Sequence, residues 1–321
     1  MDITGFGVVG LGRMGGGLAR LALSKGFGVT GLTLGGASKE LVEAGLVEVV
    51  DVSGFRQLPA SRMVILYIPA GPPVGEMLER LSASLEPGDI VLDGGNSYWG
   101  DSIRRHDRLK AKGIEFLDVG TSGGVSGAQE GACFMVGGDP AVAAQVEPVL
   151  RQLAVDGGYV YAGPPGSGHF VKLVHNGIEF GMLQAIGEGF SLLGRFHETL
   201  DINGVLECWR HGSVIRSWLI DLLAEAHAKD PGLNQPTSYI EDTGEVNWLV
   251  ADALRMEAPI PVIAQSVMQL FASRDQTRTW AKAIVAMRHG FGGHPFGPDA
   301  AVVEERRDGR VGDIFRPAGE K

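Results

Sequence analysis

The 321-residue chain lacks the features that mark several whole classes of protein. Its two cysteines, Cys133 and Cys208, offer neither a disulfide framework nor metal-ligand spacing. Both are expected to serve as packing residues in a reducing cytoplasm. No apolar run approaches the roughly 20 residues needed to span a bilayer. The opening "MDITGFGVVGLG" has no basic segment or cleavage pattern of a secretion signal. A cytoplasmic protein without a membrane partner is therefore expected. Positive charge is in deficit, with 28 Lys and Arg against 38 Asp and Glu and a net charge of −10, which argues against nucleic acid as a partner. His106, His197, His211 and His227 form no ligand-spaced set, so no metal is expected. Trp209, Trp218, Trp248 and Trp280 fall at helical spacings and are expected in the core.

What remains is an ordinary globular composition, 44% apolar and 21% charged, long enough for two cores. Residues 1–164 alternate β-rich runs with amphipathic stretches, among them "FGVVG", "FGVTGL", "MVILYIP" (63–69), "DIVLD", "EFLDVG", "CFMVGG" and "GYVYAG". That order predicts an α/β fold, a Rossmann-like doubly wound parallel sheet. The Gly/Pro stretch "AGPPGSGH" (162–169) marks a hinge, and residues 165–321 are predicted to form an all-helical domain. The charged tail after Gly297 is expected to be mobile or docked on a partner subunit.

Glycine is abundant, at 49 residues, so a glycine motif gains weight only from its context. "GLGRMG" (Gly10, Leu11, Gly12, Arg13, Met14, Gly15) closes the first predicted strand and opens a helix. Glycines there permit a tight turn and close backbone approach, and the helix N-terminus faces an anion. The complementary signal is missing. At the end of the second strand an acid normally meets a ribose 2′-hydroxyl, or a base meets a 2′-phosphate. Here "GVTGLTLGGASKE" places Thr33, Leu34, Gly35 and Gly36 in the turn, with no acid and no nearer cation than Lys39.

"HFVKLVHNGIEFG" (169–181) carries Lys172, His175, Asn176 and Glu179 among apolar neighbours. At roughly 100° per residue, Asn176 lies about 40° from Lys172, Glu179 about 20° to the other side and His175 about 60° away. Such a sector is costly to bury unless its groups are paired or used. Oxidising a secondary alcohol needs a base for the hydroxyl proton, which a lysine with a burial-lowered pKa can supply. Were the alcohol β to a carboxylate, the keto acid formed would lose carbon dioxide once its ketone is polarised, and the enediol left behind would need a proton, for which Glu179 is suited.

Together with "DGGNSYWGDSIRR" (93–105), "GTSGGVSGAQEGACFMVGG" (120–138), "WRHGSVIRSWL" (209–219), "SRDQ" (273–276) and "FGGH" (291–294), these motifs resemble the short-form, decarboxylating 6-phosphogluconate dehydrogenases of the β-hydroxyacid dehydrogenase superfamily. The resemblance covers roughly residues 5–296. It implies Lys172 as base, Glu179 as proton donor and Asn176 beside them. It implies substrate contacts at Asn96, Ser122, Gly123, Gly124, His175, Arg274 and His294, with Ile215 and Arg216 on the substrate side. Arg274 matches a phosphate ligand, and His294 a histidine that completes the neighbouring subunit's site, so a homodimer or homotetramer is implied. Cofactor contacts are implied at the Gly10–Gly15 loop, Thr33, Leu34, Pro69, Ala70 and Asn96.

Two departures weaken phosphate recognition: Phe180 replaces the family's usual tyrosine, and Asn247 in "GEVNWL" replaces a cation. A non-decarboxylating dehydrogenase for a smaller hydroxyacid is thus a second reading. A catalytically silent metabolite sensor is a third, opposed by the joint presence of Lys172, Asn176 and Glu179. The resemblance implies NADP, while the missing 2′-phosphate ligand and missing acid leave the deazaflavin coenzyme F-420 as an equal alternative and NAD as a lesser one. That carrier takes a hydride at a ring carbon and has no adenosine to be read.

Overall fold

The computed structural model describes residues 3–300 and 303. Of the charged tail, all but residues 298–300 and Val303 lie outside the described residues. The chain divides into two compact units, Met1–Asn176 and Gly177–Lys321.

The first unit is an eight-stranded sheet in the order β3-β2-β1-β4-β5-β6-β7-β8. Its strands are β1 (Gly5–Val9), β2 (Gly28–Leu32), β3 (Val47–Glu48), β4 (Met63–Leu66), β5 (Ile90–Asp93), β6 (Glu115–Ser122), β7 (Ala132–Gly137) and β8 (Ala154–Gly163). Helices α1 (Arg13–Ser24), α2 (Lys39–Glu43), α3 (Pro72–Ser82), α4 (Trp99–Lys110), α5 (Gly124–Glu130) and α6 (Pro140–Leu153) connect them. Side chains alternate between two cores, as strand geometry requires. Phe6, Val8, Met63 and Ile65 pack on one face and Val9, Val64, Leu66 and Phe55 on the other. Burial on both faces explains the near-continuous apolar strands.

The sheet is not wholly parallel. β7 runs antiparallel to β6, because the connection 123–131 is too short for the crossover that a parallel return needs. That connection coils into α5, and β3 and a 3-10 turn at Val52–Gln57 precede β4; none of the three was apparent from periodicity.

The division between the units falls inside α7 (Ser167–Leu193), which runs unbroken from one into the other. The second unit continues with α8 (Ile202–Gly212), α9 (Trp218–Lys229), α10 (Glu245–Arg255), α11 (Pro261–Arg274) and α12 (Thr279–Gly292). Leu206, Ile220, Val246, Leu249, Val267 and Leu270 are among its buried residues. Side-chain caps start two of these helices, Asp201 accepting from Gly204 N at 2.9 Å and Ser217 from Ile220 N at 3.3 Å. Two packing expectations are corrected: Trp218 and Trp280 are 52% and 61% exposed, and Cys208 is exposed as well. Each sits on a helix face with too few neighbours in its own unit to cover it.

Candidate active site

In the sheet order, connections run one way from β1 to β2 and β3 and the other way from β1 to β4 and β5. Ligands of open α/β sheets bind at the carboxyl ends of strands beside such a reversal, and the glycine loop lies there. Gly10 adopts φ +89°, and a Cβ on it would lie 2.3 Å from the Tyr67 carbonyl oxygen. A Cβ on Gly15 would lie 1.9 Å from the Gly10 oxygen. Both positions require glycine. Gly12, by contrast, has nothing within 4 Å of a built Cβ, so space is open above the loop where the first-turn N–H groups of α1 lack helical acceptors. Leu11, Arg13 and Met14 belong to the same loop and first helical turn, and Leu11 N donates to Thr33 Oγ1 at 3.4 Å. Pro69 and Ala70 lie in the loop after β4, next to the same reversal. These residues fit the pyrophosphate of a dinucleotide.

The turn after β2 corrects one expectation. Leu34 is fully exposed and Gly35 and Gly36 follow at φ +89° and +90°, as the sequence suggested. An acid is nevertheless present: Glu48 of β3 reaches the turn, where its Oε1 accepts from Ala37 N at 2.7 Å. The residue lies outside the segment in which the fingerprint normally carries its acid, so local reading missed it.

The candidate catalytic cluster stands on α7. Lys172 is 8% and Asn176 9% exposed, so the polar sector is a buried network rather than a wet stripe. Lys172 Nζ donates to Asn176 Oδ1 at 2.7 Å and lies 3.3 Å from His175 Nδ1. His175 Nδ1 is also 3.3 Å from Asn176 Oδ1, and its Nε2 lies 3.1 Å from Ser122 Oγ. With Nε2 protonated, Nδ1 can accept from Lys172; with Nδ1 protonated, it can donate to Asn176. Lys172, His175, Asn176 and Ser122 are thus brought together. Gly123 and Gly124, at φ +120° and +61°, turn the chain from β6 into α5 beside Ser122.

Close approach of helix to sheet sets this geometry. A Cβ on Gly120 would lie 2.5 Å from Lys172 Cβ, and one on Gly168 would lie 2.4 Å from the carbonyl oxygens of Asp118 and Met135. The fully buried Asp118 carboxylate accepts from Gly166 N at 2.7 Å and His169 N at 2.9 Å, the placement a helix N-terminus favours.

Asn96 is exposed at the tip of the loop after β5, on a buried scaffold. Asp93 accepts from Gly95 N at 3.2 Å, Ser97 Oγ at 2.7 Å and Arg105 Nη1 at 3.1 Å. His169 donates through Nε2 to the Asp93 carbonyl at 3.0 Å, which leaves Nδ1 to accept from Ser102 Oγ at 2.7 Å. The scaffold therefore joins the base of α7 to the Asn96 loop. Tyr67 OH meets Thr121 Oγ1 at 3.1 Å, and burial pushes its phenol well above the ordinary range. Asp93, Ser97, Ser102, Arg105, Asp118 and His169 were not singled out in sequence, although most lie inside quoted motifs. Their roles depend on cross-strand partners.

Glu179, Arg274 and His294 lie in the second unit. Glu179 is partly buried on α7. Arg274 Nε donates to the Ile240 carbonyl at 2.6 Å and its guanidinium pairs with Asp242, which raises the arginine's pKa. His294 lies beyond α12 with its ring 5.9 Å from Phe291, and its carbonyl accepts from His289 Nδ1 at 2.8 Å. Ile215 and Arg216 are exposed between α8 and α9, and Asn247 is exposed on α10.

Residues 5–163 match the model of the NAD binding domain of 6-phosphogluconate dehydrogenase, and residues 168–289 match that of the 6-phosphogluconate dehydrogenase C-terminal domain. The chain belongs to the 6-phosphogluconate dehydrogenase family. An NAD(+)-dependent, decarboxylating 6-phosphogluconate dehydrogenase of Haloferax volcanii is 37% identical over 90% of this chain and 97% of its own length. An NADP(+)-dependent, decarboxylating one of Bacillus subtilis is 35% identical over 94% of this chain and 66% of its own length. The solved 6-phosphogluconate dehydrogenase of Plasmodium falciparum, known with NADP+ and with 6-phosphogluconate, aligns with a TM-score of 0.75 at 28% identity. That alignment covers 92% of this chain and 66% of the other. Relatives' names divide over the cofactor, so membership of the 6-phosphogluconate dehydrogenase family does not choose between NAD and NADP.

Proposed function

We propose that the chain oxidises and decarboxylates 6-phosphogluconate to ribulose 5-phosphate and carbon dioxide, with hydride passing to a carrier held at the Gly10–Gly15 loop. The observation that carries this reading is the cluster of buried Lys172 and Asn176 with half-buried His175 on the helix that also bears Glu179, joined by half-buried Ser122 of β6. The carrier, when bound, supplies the hydride acceptor. Lys172 takes the substrate hydroxyl proton as hydride leaves the same carbon. Lys172, now an ammonium, polarises the new ketone while the carboxylate departs as carbon dioxide. Glu179 then protonates the terminal carbon of the enediol. Asn176 and His175 hold the Lys172 amine in place, and Asn96, Ser122, Gly123 and Gly124 line the substrate side. Arg274 supplies a phosphate contact through the N–H groups left by Asp242.

Phe180, Asn247 and the Arg274–Asp242 pair favour a second reading, oxidation of a smaller hydroxyacid without decarboxylation. For the carrier, family membership supports a nicotinamide dinucleotide. The turn of Thr33, Leu34, Gly35 and Gly36, without a cation, favours F-420 over NADP. In deuterated water, 6-phosphogluconate assayed with NADP, NAD and F-420 in turn at matched concentrations is expected to give, with the accepted carrier, ribulose 5-phosphate carrying deuterium at carbon 1. Glu179→Gln is expected to retain cofactor binding while deuterium enters carbon 1 slowly and without stereospecificity. Oxidation of a shorter hydroxyacid with no carbon dioxide released would replace this reading with the second.

The active species is proposed to be at least a dimer, with His294 completing a neighbour's site. In the second unit, α12 has no buried residue, yet it exposes Trp280, Ile284, Met287 and Phe291; so large an apolar face is a mark of association. Sedimentation at assay concentration is expected to show a dimer or larger, and a fully active monomer would remove the idea.

A further inference from the structure

The turn after β2 offers no acid and no cation of its own to a ribose, but an acid is anchored there from elsewhere. β3 pairs with β2 in the register Thr30↔Val47 and Gly31↔Glu48, and Val49 N donates to the Gly31 oxygen at 2.9 Å. That register carries the exposed Glu48 side chain to the turn, where Oε1 accepts from Ala37 N at 2.7 Å and lies 3.5 Å from the position of a Cβ on Gly36. Gly35 and Gly36 of the turn are left-handed, and Leu34 is fully exposed. Thr33 ties the same turn to the phosphate loop through Leu11 N. The cation in the neighbouring helix, Lys39, is engaged with Glu43 at 3.6 Å. A nucleotide with its pyrophosphate at Gly10–Gly15 has its adenosine ribose at the end of β2. There a free 2′-hydroxyl meets an acceptor, whereas a 2′-phosphate meets a carboxylate with no cation to offset it.

We infer that Glu48, delivered from β3 rather than from the end of β2, is the acid that reads the adenosine ribose, so that the site takes NAD and rejects NADP. The inference rests on the reading that a dinucleotide binds at the glycine loop, and not on the identity of the hydroxyacid. A selective site needs only a penalty against the wrong partner, and an anchored carboxylate supplies one without any specific contact to the right partner beyond a hydrogen bond.

Calorimetric titration with ADP-ribose and with its 2′-phosphate tests this apart from catalysis, because neither probe carries nicotinamide. The wild-type protein is expected to bind ADP-ribose about tenfold or more tightly than the 2′-phosphate at low ionic strength. The ratio should shrink as salt screens the repulsion. Glu48→Gln keeps an acceptor for Ala37 N and is expected to lower the ratio at least about threefold by tightening the 2′-phosphate. Glu48→Lys, which places a cation there, is expected to reverse the preference. Preference of the wild-type protein for the 2′-phosphate, an unchanged ratio in Glu48→Gln, or binding of F-420 with no binding of either probe would overturn the assignment. Failure of 6-phosphogluconate turnover would leave these affinities readable, so the two proposals fail in different measurements.

Discussion

Replacing Lys172 with methionine is expected to lower kcat by at least about 100-fold, the scale of general-base loss, with the circular dichroism spectrum unchanged. Methionine keeps much of the lysine stem, and the stem is what lies against Gly120 of β6, where a Cβ would come within 2.5 Å. The amine is what the substitution removes, and with it the bond to Asn176 and the approach to His175. Rates above and below neutrality would separate a base from a binding group. Loss of Lys172 as base removes the acidic limb of the pH profile of kcat/KM, whereas loss of a substrate contact raises KM and leaves that limb in place. Near-normal turnover by Lys172→Met would exclude the assignment.

The largest effect on stability is expected at Asp93. Its carboxylate is fully buried and accepts from Arg105, Ser97 and Gly95, while Arg105 is itself 10% exposed at its side chain and also donates to the Gly71 carbonyl at 3.0 Å. Asp93→Ala leaves a buried guanidinium with only the longer 3.9 Å approach to Asp101 as counter-charge, which costs up to about 3–5 kcal/mol. Denaturant unfolding of the first unit would show this as a lower midpoint at unchanged slope. Removing both partners, Asp93→Ala with Arg105→Met, should recover part of the loss, because the isolated charge is then gone. A loss below about 1 kcal/mol for Asp93→Ala would mean that water reaches Arg105 and that the scaffold under Asn96 is looser than its hydrogen bonds imply.

Local sequence carried the parts of this protein whose physics is local. The glycine loop was legible because turn, helix start and anion site occupy six consecutive residues. The sector of α7 was legible because helical period alone aligns Lys172, Asn176 and Glu179. Parallel pairing of the first strands followed from their alternation with helices. β7 escaped because its direction depends on the length of the connection 123–131, not on any residue in the strand. Asp118 and Asp93 escaped because an acid in an apolar strand reads as a strand end until its partners, dozens of residues away in sequence, are placed. Glu48 escaped for the same reason, and the absence noted between Thr33 and Gly36 was an absence along the chain rather than in space.

The continuity of α7 turns the proposed chemistry into a matter of phase. Lys172 and Glu179 are printed on one rod, roughly 10 Å apart along its axis and almost two full turns apart around it. Loop changes elsewhere leave that interval untouched. A single residue inserted between them would swing Glu179 through about 100° while lengthening the interval by only about 1.5 Å. The pair is therefore tolerant of drift in composition and intolerant of any change in count, and the interval from 172 to 179 behaves as a ruler whose unit is the residue.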